Sequence, residues 1–136
     1  MTQLEMQGLA AKNASRVLSI AGTAQKNAAL EAIAQAMEQR TDEILAANGR
    51  DMEAARAANM RPSLQDRLAL DAGRIDGIVD GVRQVAALPD PIGQVTHMGT
   101  RPNGLVIGKR RVPLGVIGII YEARPNVTVD AAALCL

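Results

Sequence analysis

The chain has 136 residues, the size of one domain or of a piece of a larger one. Hydrophobic residues make up 48% of it, which is enough for a sizeable core, but Tyr121 is the only aromatic residue. Fifteen basic and fourteen acidic side chains leave a net charge of +1, and this balance, with no aromatic stacking platform, argues against a nucleic-acid partner.

The cysteine, histidine and hydropathy patterns argue against further classes of protein. Cys135 is a single cysteine and cannot form an intramolecular disulfide, and the lone His97 disfavours a histidine-rich metal site. The sequence shows no signal peptide and no apolar run of about 18 residues. We therefore expect a cytoplasmic protein with no metal site and no membrane contact.

The first 88 residues have helical periodicity. A first helix is predicted over 2–21, a second from the N-cap Thr23 to Arg40, and a third from the N-cap Thr41. Asn48-Gly49 is a turn signal inside the third pattern, so a short helix is expected to restart at Asp51. The apolar stripe predicted for the first helix consists of Leu4, Ala11, Ala14, Leu18 and Ala21.

Two further helices are predicted before residue 89. Ser63 resembles the start of a capping box for a short helix over 64–70. Asp71 is the expected N-cap of a longer helix, and the glycines spaced four apart along that helix suggest close packing on one face. Its apolar face comprises Ile75, Ile78, Val79, Val82 and Ala86, and the glycines are Gly73, Gly77 and Gly81.

A β-hairpin follows two prolines that end the helical part. Strands are predicted over 94–100 and 105–112, with a turn at Pro102-Asn103-Gly104. The basic run 109–111 is interpreted as a solvated strand that protects the sheet edge. His97 is expected to be structural or exposed.

Residues 113–121 form a near-continuous apolar run, typical of a strand buried on both faces of a parallel sheet. A polar loop follows, and Asn126 is the predicted N-cap of an Ala-rich helix to Leu136, in which Cys135 is expected to be buried. Gly115 and Gly118 lie inside the strand and are expected to allow close packing rather than phosphate binding. Because no second parallel strand follows, we expect a segment of a longer chain.

The loop from Tyr121 to Asn126 is the best candidate for chemistry. It follows the C-terminal end of the predicted parallel strand, where open α/β sheets bind ligands. It places the Glu122 carboxylate, the Arg124 guanidinium and the Asn126 amide at a helix N-terminus, where an amide can donate to an oxyanion or phosphate. The alternative is that Asn126 is only a helix cap and Arg124 is only solvated.

Three stretches of the chain carry a resemblance to a known family. They are the block 111–131, which includes Tyr-Glu-Ala-Arg-Pro-Asn-Val-Thr, the pair Asp66-Arg67-Leu68 and Arg74-Ile75, and the stretch 85–93. In order and spacing they resemble the gamma-glutamyl phosphate reductases (glutamate-5-semialdehyde dehydrogenases) of the aldehyde dehydrogenase superfamily.

This resemblance implies an α/β, aldehyde dehydrogenase-like fold, of which the chain is the N-terminal segment. Residues 1–91 would be a helical part of the nucleotide-binding domain. Residues 92–112 would be a β-hairpin arm for homo-oligomerisation, whose strands and turn lie within 94–112. Residues 113–136 would be the first strand, loop and helix of the nucleotide-binding domain. The implied reaction is the NADPH-dependent reduction of L-glutamyl 5-phosphate to L-glutamate 5-semialdehyde in proline biosynthesis, with release of phosphate. A cysteine thioester would be the intermediate, formed on a cysteine that this chain lacks.

The resemblance also suggests residue roles. Asn126 would stabilise the oxyanion, the loop residues Ile119, Ile120 and Tyr121 would contact the NADPH, and Arg124 and Glu122 would contact substrate. A non-catalytic helical module that dimerises through the hairpin is the alternative from another class. Another member of the superfamily, acting on a free aldehyde or a different acyl phosphate, is the third hypothesis.

Overall fold

A computed structural model describes all residues, 1–136, as six helices and one two-stranded sheet. The chain divides into two compact units, one made of 1–21 and 89–117 and the other of 22–88 and 118–136. The elements in chain order are α1 (Gln3–Leu18), α2 (Thr23–Gln39), α3 (Thr41–Ala57), α4 (Pro62–Leu68), α5 (Ala72–Ala87), β1 (Val95–Thr100), β2 (Val106–Arg110) and α6 (Pro125–Cys135).

Helix α1, in the first unit, is held by its cap and not by burial. Thr2 Oγ1 accepts from the Glu5 backbone N–H, and the Glu5 carboxylate accepts from the Thr2 N–H, which forms a capping box. No residue of α1 is buried, and the Leu4 side chain is 77% exposed. The helix ends at Leu18, before the predicted Ala21, and its apolar stripe faces solvent.

The predicted hairpin is confirmed, with shorter strands than the pattern suggested. β1 and β2 are antiparallel, with Val95 opposite Arg110 and Thr100 opposite Val106, and the register shifts between Val95 and His97. At the turn Gly104 has φ +84°, a backbone conformation that favours glycine. Every residue of β2 is exposed, as is His97, so the basic run lies in solvent as predicted.

The second unit has its core between α2, α5 and α6. The buried side chains of this core are Leu30, Ala34, Ile75, Val79, Val82 and Ala133. Ile75 and Val82 are among the least exposed, because the a/d-like spacing of α5 turns them toward α2. Of the predicted apolar face, Ile78 and Ala86 are only half-buried.

An ion-pair cluster joins the exposed sides of α2 and α5. The Arg83 guanidinium donates to Glu38 at 2.6 Å and to Glu31 at 3.2 Å, across 45 and 52 residues of sequence. These hydrogen bonds hold the pKa of both carboxyls below the ordinary value of 4.5 and raise the pKa of Arg83. All three side chains are about two-fifths exposed, so water screens the attraction.

We expect this cluster to make stability depend on pH in acid. Because the folded-state pKa of Glu31 and Glu38 is lowered, the stabilisation is complete above pH 4.5 and is lost as the pH falls through the folded values. The difference in unfolding midpoint between the wild type and Arg83→Met should therefore be present at pH 7 and vanish in strong acid. Urea unfolding at a series of pH values measures it, and a pH-independent difference would contradict the ion-pair account.

The predicted break at Asn48-Gly49 is wrong, because α3 runs without interruption from Thr41 to Ala57. Asn48 is only 6% exposed, and its amide group reaches a chain segment twenty residues away. Its Nδ2 donates to the Leu68 carbonyl and its Oδ1 accepts from the Leu70 N–H, both at 2.8 Å. These tertiary hydrogen bonds outweigh the local turn preference of the Asn-Gly pair.

Two predictions about α4 and α5 are wrong and one is confirmed. The Ser63 capping box is absent, because α4 begins at Pro62 and has no side-chain cap. Asp71 does cap α5, since its Oδ1 accepts from the Arg74 N–H at 2.7 Å. A Cβ added at Gly77 or Gly81 would meet nothing within 4 Å, so these glycines do not serve close helix packing.

The strand predicted over 113–121 is not formed within this chain. The two strands present pair only with each other, and a parallel strand needs a hydrogen-bonded neighbour. Every residue of 111–122 is exposed, including Ile120, and a Cβ at Gly115 or Gly118 would meet nothing within 4 Å. The apolar pattern therefore has no covering partner among these 136 residues.

Candidate active site

The loop before α6 reaches the helix through a strained turn. Ala123 has φ +50°, a left-handed conformation that costs a non-glycine residue about 1–2 kcal/mol. Arg124 is then the residue preceding the helix, and Pro125 is its first residue. The predicted N-cap role of Asn126 is therefore wrong, because the helix begins at Pro125, two residues earlier than predicted, and Asn126 lies inside the first turn.

The Asn126 side chain is half-buried and fixed by one hydrogen bond. Its Nδ2 donates to Asp130 Oδ2 at 2.9 Å, one turn further along α6. A side-chain amide has two N–H donors, so one remains for a ligand. This geometry combines a fixed orientation with a free donor, which is what stabilisation of a developing oxyanion needs.

The other predicted site residues lie on the exposed loop. The Tyr121 hydroxyl and Thr128 Oγ1 are 2.6 Å apart, and this hydrogen bond ties the loop to α6. Ile119 and Ile120 are exposed apolar side chains. The Glu122 and Arg124 side chains are exposed and form no hydrogen bond or ion pair within the chain.

A concavity of about 320 Å³ lies in the second unit, and Asn126 is on its wall. Its other lining residues include Arg67, Arg74, Gly77, Ile78 and Asp130. Of the site residues predicted from sequence, only Asn126 lines this space. Arg67 and Arg74 were visible in the sequence only as part of the family resemblance, since nothing in local periodicity connects them with a loop more than 40 residues away.

The corner between α4 and α5, which forms one wall, is held by side chains from two helices. Arg74 donates to the Ala69 carbonyl at 2.8 Å and the Asp66 carboxylate at 2.9 Å, as well as to the Asp66 carbonyl. The hydrogen bond to Asp66 raises the pKa of Arg74. Asn48 satisfies two more backbone groups of the same corner.

The expected burial of Cys135 is wrong. This thiol is exposed, on the last residue of α6, because Ala133 and, in part, Val129 of the helix and Leu136 just after it face the core. No group of three or more histidine, cysteine, aspartate or glutamate side chains is placed to hold a metal ion. None of the helices combines the length and apolar character required to span a bilayer.

Comparisons with known proteins connect this arrangement with a family. The chain is 57% identical over 134 residues to a gamma-glutamyl phosphate reductase of Moorella thermoacetica. Its structure matches crystal structures of gamma-glutamyl phosphate reductases from Thermotoga maritima (TM-score 0.92, 44% identity) and Saccharomyces cerevisiae (TM-score 0.91, 28% identity). No protein-family model matches the chain.

The match covers 98% of this chain in all three comparisons, but only 32%, 32% and 34% of the three relatives. The chain thus spans about a third of their length. Its fold and sequence are similar to the N-terminal portion of these gamma-glutamyl phosphate reductases, and the resemblance predicted from the sequence is confirmed.

Proposed function

We propose that this chain is the N-terminal portion of an NADPH-dependent gamma-glutamyl phosphate reductase acting in proline biosynthesis. The observation that carries the proposal is 57% identity over nearly the whole chain, together with a TM-score of 0.92 to the Thermotoga protein. The reaction would convert L-glutamyl 5-phosphate, NADPH and a proton into L-glutamate 5-semialdehyde, NADP⁺ and phosphate. The 136 residues alone would be inactive, because the family resemblance implies that the thioester forms on a cysteine outside them.

Asn126 is proposed as the oxyanion donor. Attack on the acyl carbon moves charge onto the carbonyl oxygen, and a fixed N–H donor stabilises that charge more than it stabilises the ground-state carbonyl. The hydrogen bond to Asp130 supports this role, since it orients the amide before the substrate arrives. Asp130 would act through Asn126 and is therefore a positioning residue.

The loop 119–121 suits one side of a dinucleotide site. The exposed Ile119 and Ile120 side chains offer an apolar surface for a ring, and the Tyr121 hydrogen bond to Thr128 limits movement of the loop. When bound, NADPH would supply the hydride. These loop residues would bind and orient it and would shield the reacting carbon from water.

Arg124 and Glu122 are proposed to contact substrate from the rim of the loop. The Arg124 guanidinium is exposed, has no partner in the chain and precedes α6, where it could bind the phosphate group of the acyl phosphate. Glu122 offers a free carboxylate on the same loop.

The hairpin over 94–112 is proposed as the contact between copies of the full-length enzyme. Its support is exposure: both strands lie in solvent apart from the half-buried Gly99, and Val106 and Ile107 present apolar side chains there. The proposed compartment is the cytoplasm, by analogy with a soluble biosynthetic enzyme.

Expression from the native gene tests the proposal. We expect an intact mass well above the 14.3 kDa of these residues. We also expect phosphate-dependent reduction of NADP⁺ in the presence of L-glutamate 5-semialdehyde, which is the reverse reaction. A product near 14.3 kDa without this activity would instead support the non-catalytic module, and activity with free aldehydes but without phosphate would support another superfamily member.

A further inference from the structure

The concavity beside Asn126 has one cationic side chain without a partner. Arg74 donates hydrogen bonds to backbone carbonyls and forms an ion pair with the Asp66 carboxylate, which neutralises its charge. The Arg67 side chain, in the last turn of α4, forms no hydrogen bond or ion pair although it lines the same space. The wall therefore presents a free guanidinium in the concavity that also contains the proposed oxyanion donor.

Side-chain hydrogen bonds make the wall of the concavity that carries Arg67 rigid. The backbone carbonyls of Asp66, Leu68 and Ala69 and the N–H of Leu70 are all satisfied by the side chains of Arg74 and Asn48. A corner whose polar groups are bonded to two neighbouring helices keeps its conformation when a ligand arrives. Such preorganisation lowers the entropic cost of binding.

The dimensions and chemistry of the space point to a small anionic ligand. A volume of about 320 Å³ lies at the lower end of the range for small-molecule sites, about 300–1,000 Å³. Gly77 and Ile78 of α5 give it a partly apolar wall suited to a short methylene chain. A free guanidinium at the wall binds a carboxylate in bidentate fashion, which a lysine could not do equally well.

We propose that Arg67 binds the α-carboxylate of the glutamyl substrate and so determines that the enzyme acts on an amino acid rather than on a simple acyl group. This inference rests on the proposed function, because it takes the reacting carbonyl to lie at Asn126. In this arrangement the methylene chain of the substrate lies along α5, and Arg124 binds the phosphate group of the substrate. Arg67 is a binding residue for the ground state and the transition state alike.

The test is steady-state kinetics of the full-length enzyme in the phosphate-dependent reverse direction. Because binding that is equal in both states changes KM without changing kcat, Arg67→Ala should raise KM for L-glutamate 5-semialdehyde about 10- to 100-fold at nearly constant kcat. The rise should persist with 5-oxopentanoate, which keeps the carboxylate, and disappear with butanal, which lacks it. Arg67→Lys should recover only part of the loss.

Arg61→Ala is the matched control, since Arg61 is an exposed arginine of the same region that does not line the concavity. Its KM should be that of the wild type. An Arg67→Ala enzyme with unchanged KM, or with equal losses for butanal and the semialdehyde, would overturn the inference while leaving the reductase proposal intact. A wild-type enzyme without reductase activity would contradict both the inference about Arg67 and the proposed function. If Arg67→Ala fails to fold, judged by circular dichroism, Arg67→Gln replaces it in the same comparison and must show the same carboxylate-dependent rise.

Discussion

Replacing Asn126 with alanine in the full-length enzyme is expected to lower kcat about 10²–10³-fold, with little change in KM. The reason is that the free N–H of the amide acts on charge that develops only in the transition state, so its loss does not weaken binding of the ground state. The residue is half-buried and lies on a helix surface, so the fold should survive the substitution. Steady-state kinetics with a matched circular dichroism spectrum measures the effect.

Two comparisons separate an oxyanion donor from a structural residue. Asn13→Ala changes an exposed helical asparagine in α1 and should leave kcat unchanged. Asp130→Ala removes the hydrogen bond that orients the amide, so we expect a smaller fall in kcat than for Asn126→Ala. In kcat, the double variant should be no worse than Asn126→Ala alone. An Asn126→Ala enzyme with wild-type kcat would end the proposed role.

Local patterns in the sequence were sufficient to predict most of the helices and the hairpin. The spacing of Ile75, Val79 and Val82 placed one face of α5 in the core, and Asp71 capped that helix as its position predicted. The turn at Gly104 followed from a residue that tolerates positive φ. These features depend on neighbours within one or two turns, so a single sequence contains the necessary information.

Predictions from the sequence were wrong where contacts between residues far apart in the chain determine the local structure. Asn48-Gly49 looks like a turn until Leu68 and Leu70 provide partners for the buried amide. The concavity could not be predicted from periodicity, because it joins the corner at 67–74 with Asn126 and Asp130, more than 50 residues later. The sequence also predicted that the loop 121–126 carries the site, but only the family resemblance connected this loop with a reaction.

The free energy of unfolding should fall by about 2–4 kcal/mol when Asn48 is replaced by alanine. The substitution leaves the Leu68 carbonyl and the Leu70 N–H without their partners, and each unsatisfied buried group costs about 1–3 kcal/mol. Alanine has the higher helix propensity, which offsets only about half a kcal/mol. Urea unfolding is best followed by far-UV circular dichroism, since the chain has no tryptophan.

A graded series shows whether the two hydrogen bonds, rather than the volume of the side chain, stabilise the corner. Asn48→Leu keeps the branched shape of the side chain without a polar atom and should be destabilised at least as strongly as Asn48→Ala. Asn48→Asp keeps an acceptor for Leu70 but buries a charge and turns an oxygen toward the Leu68 carbonyl, so it too should be destabilised, and more so at neutral pH than in acid. Asn13→Ala, at an exposed helical position, should be neutral or slightly stabilising.

Because the same corner carries Arg67, Asn48→Ala should also raise KM for the semialdehyde. Loss of stability without any change in KM would mean that the corner is structural and that its rigidity does not serve ligand binding.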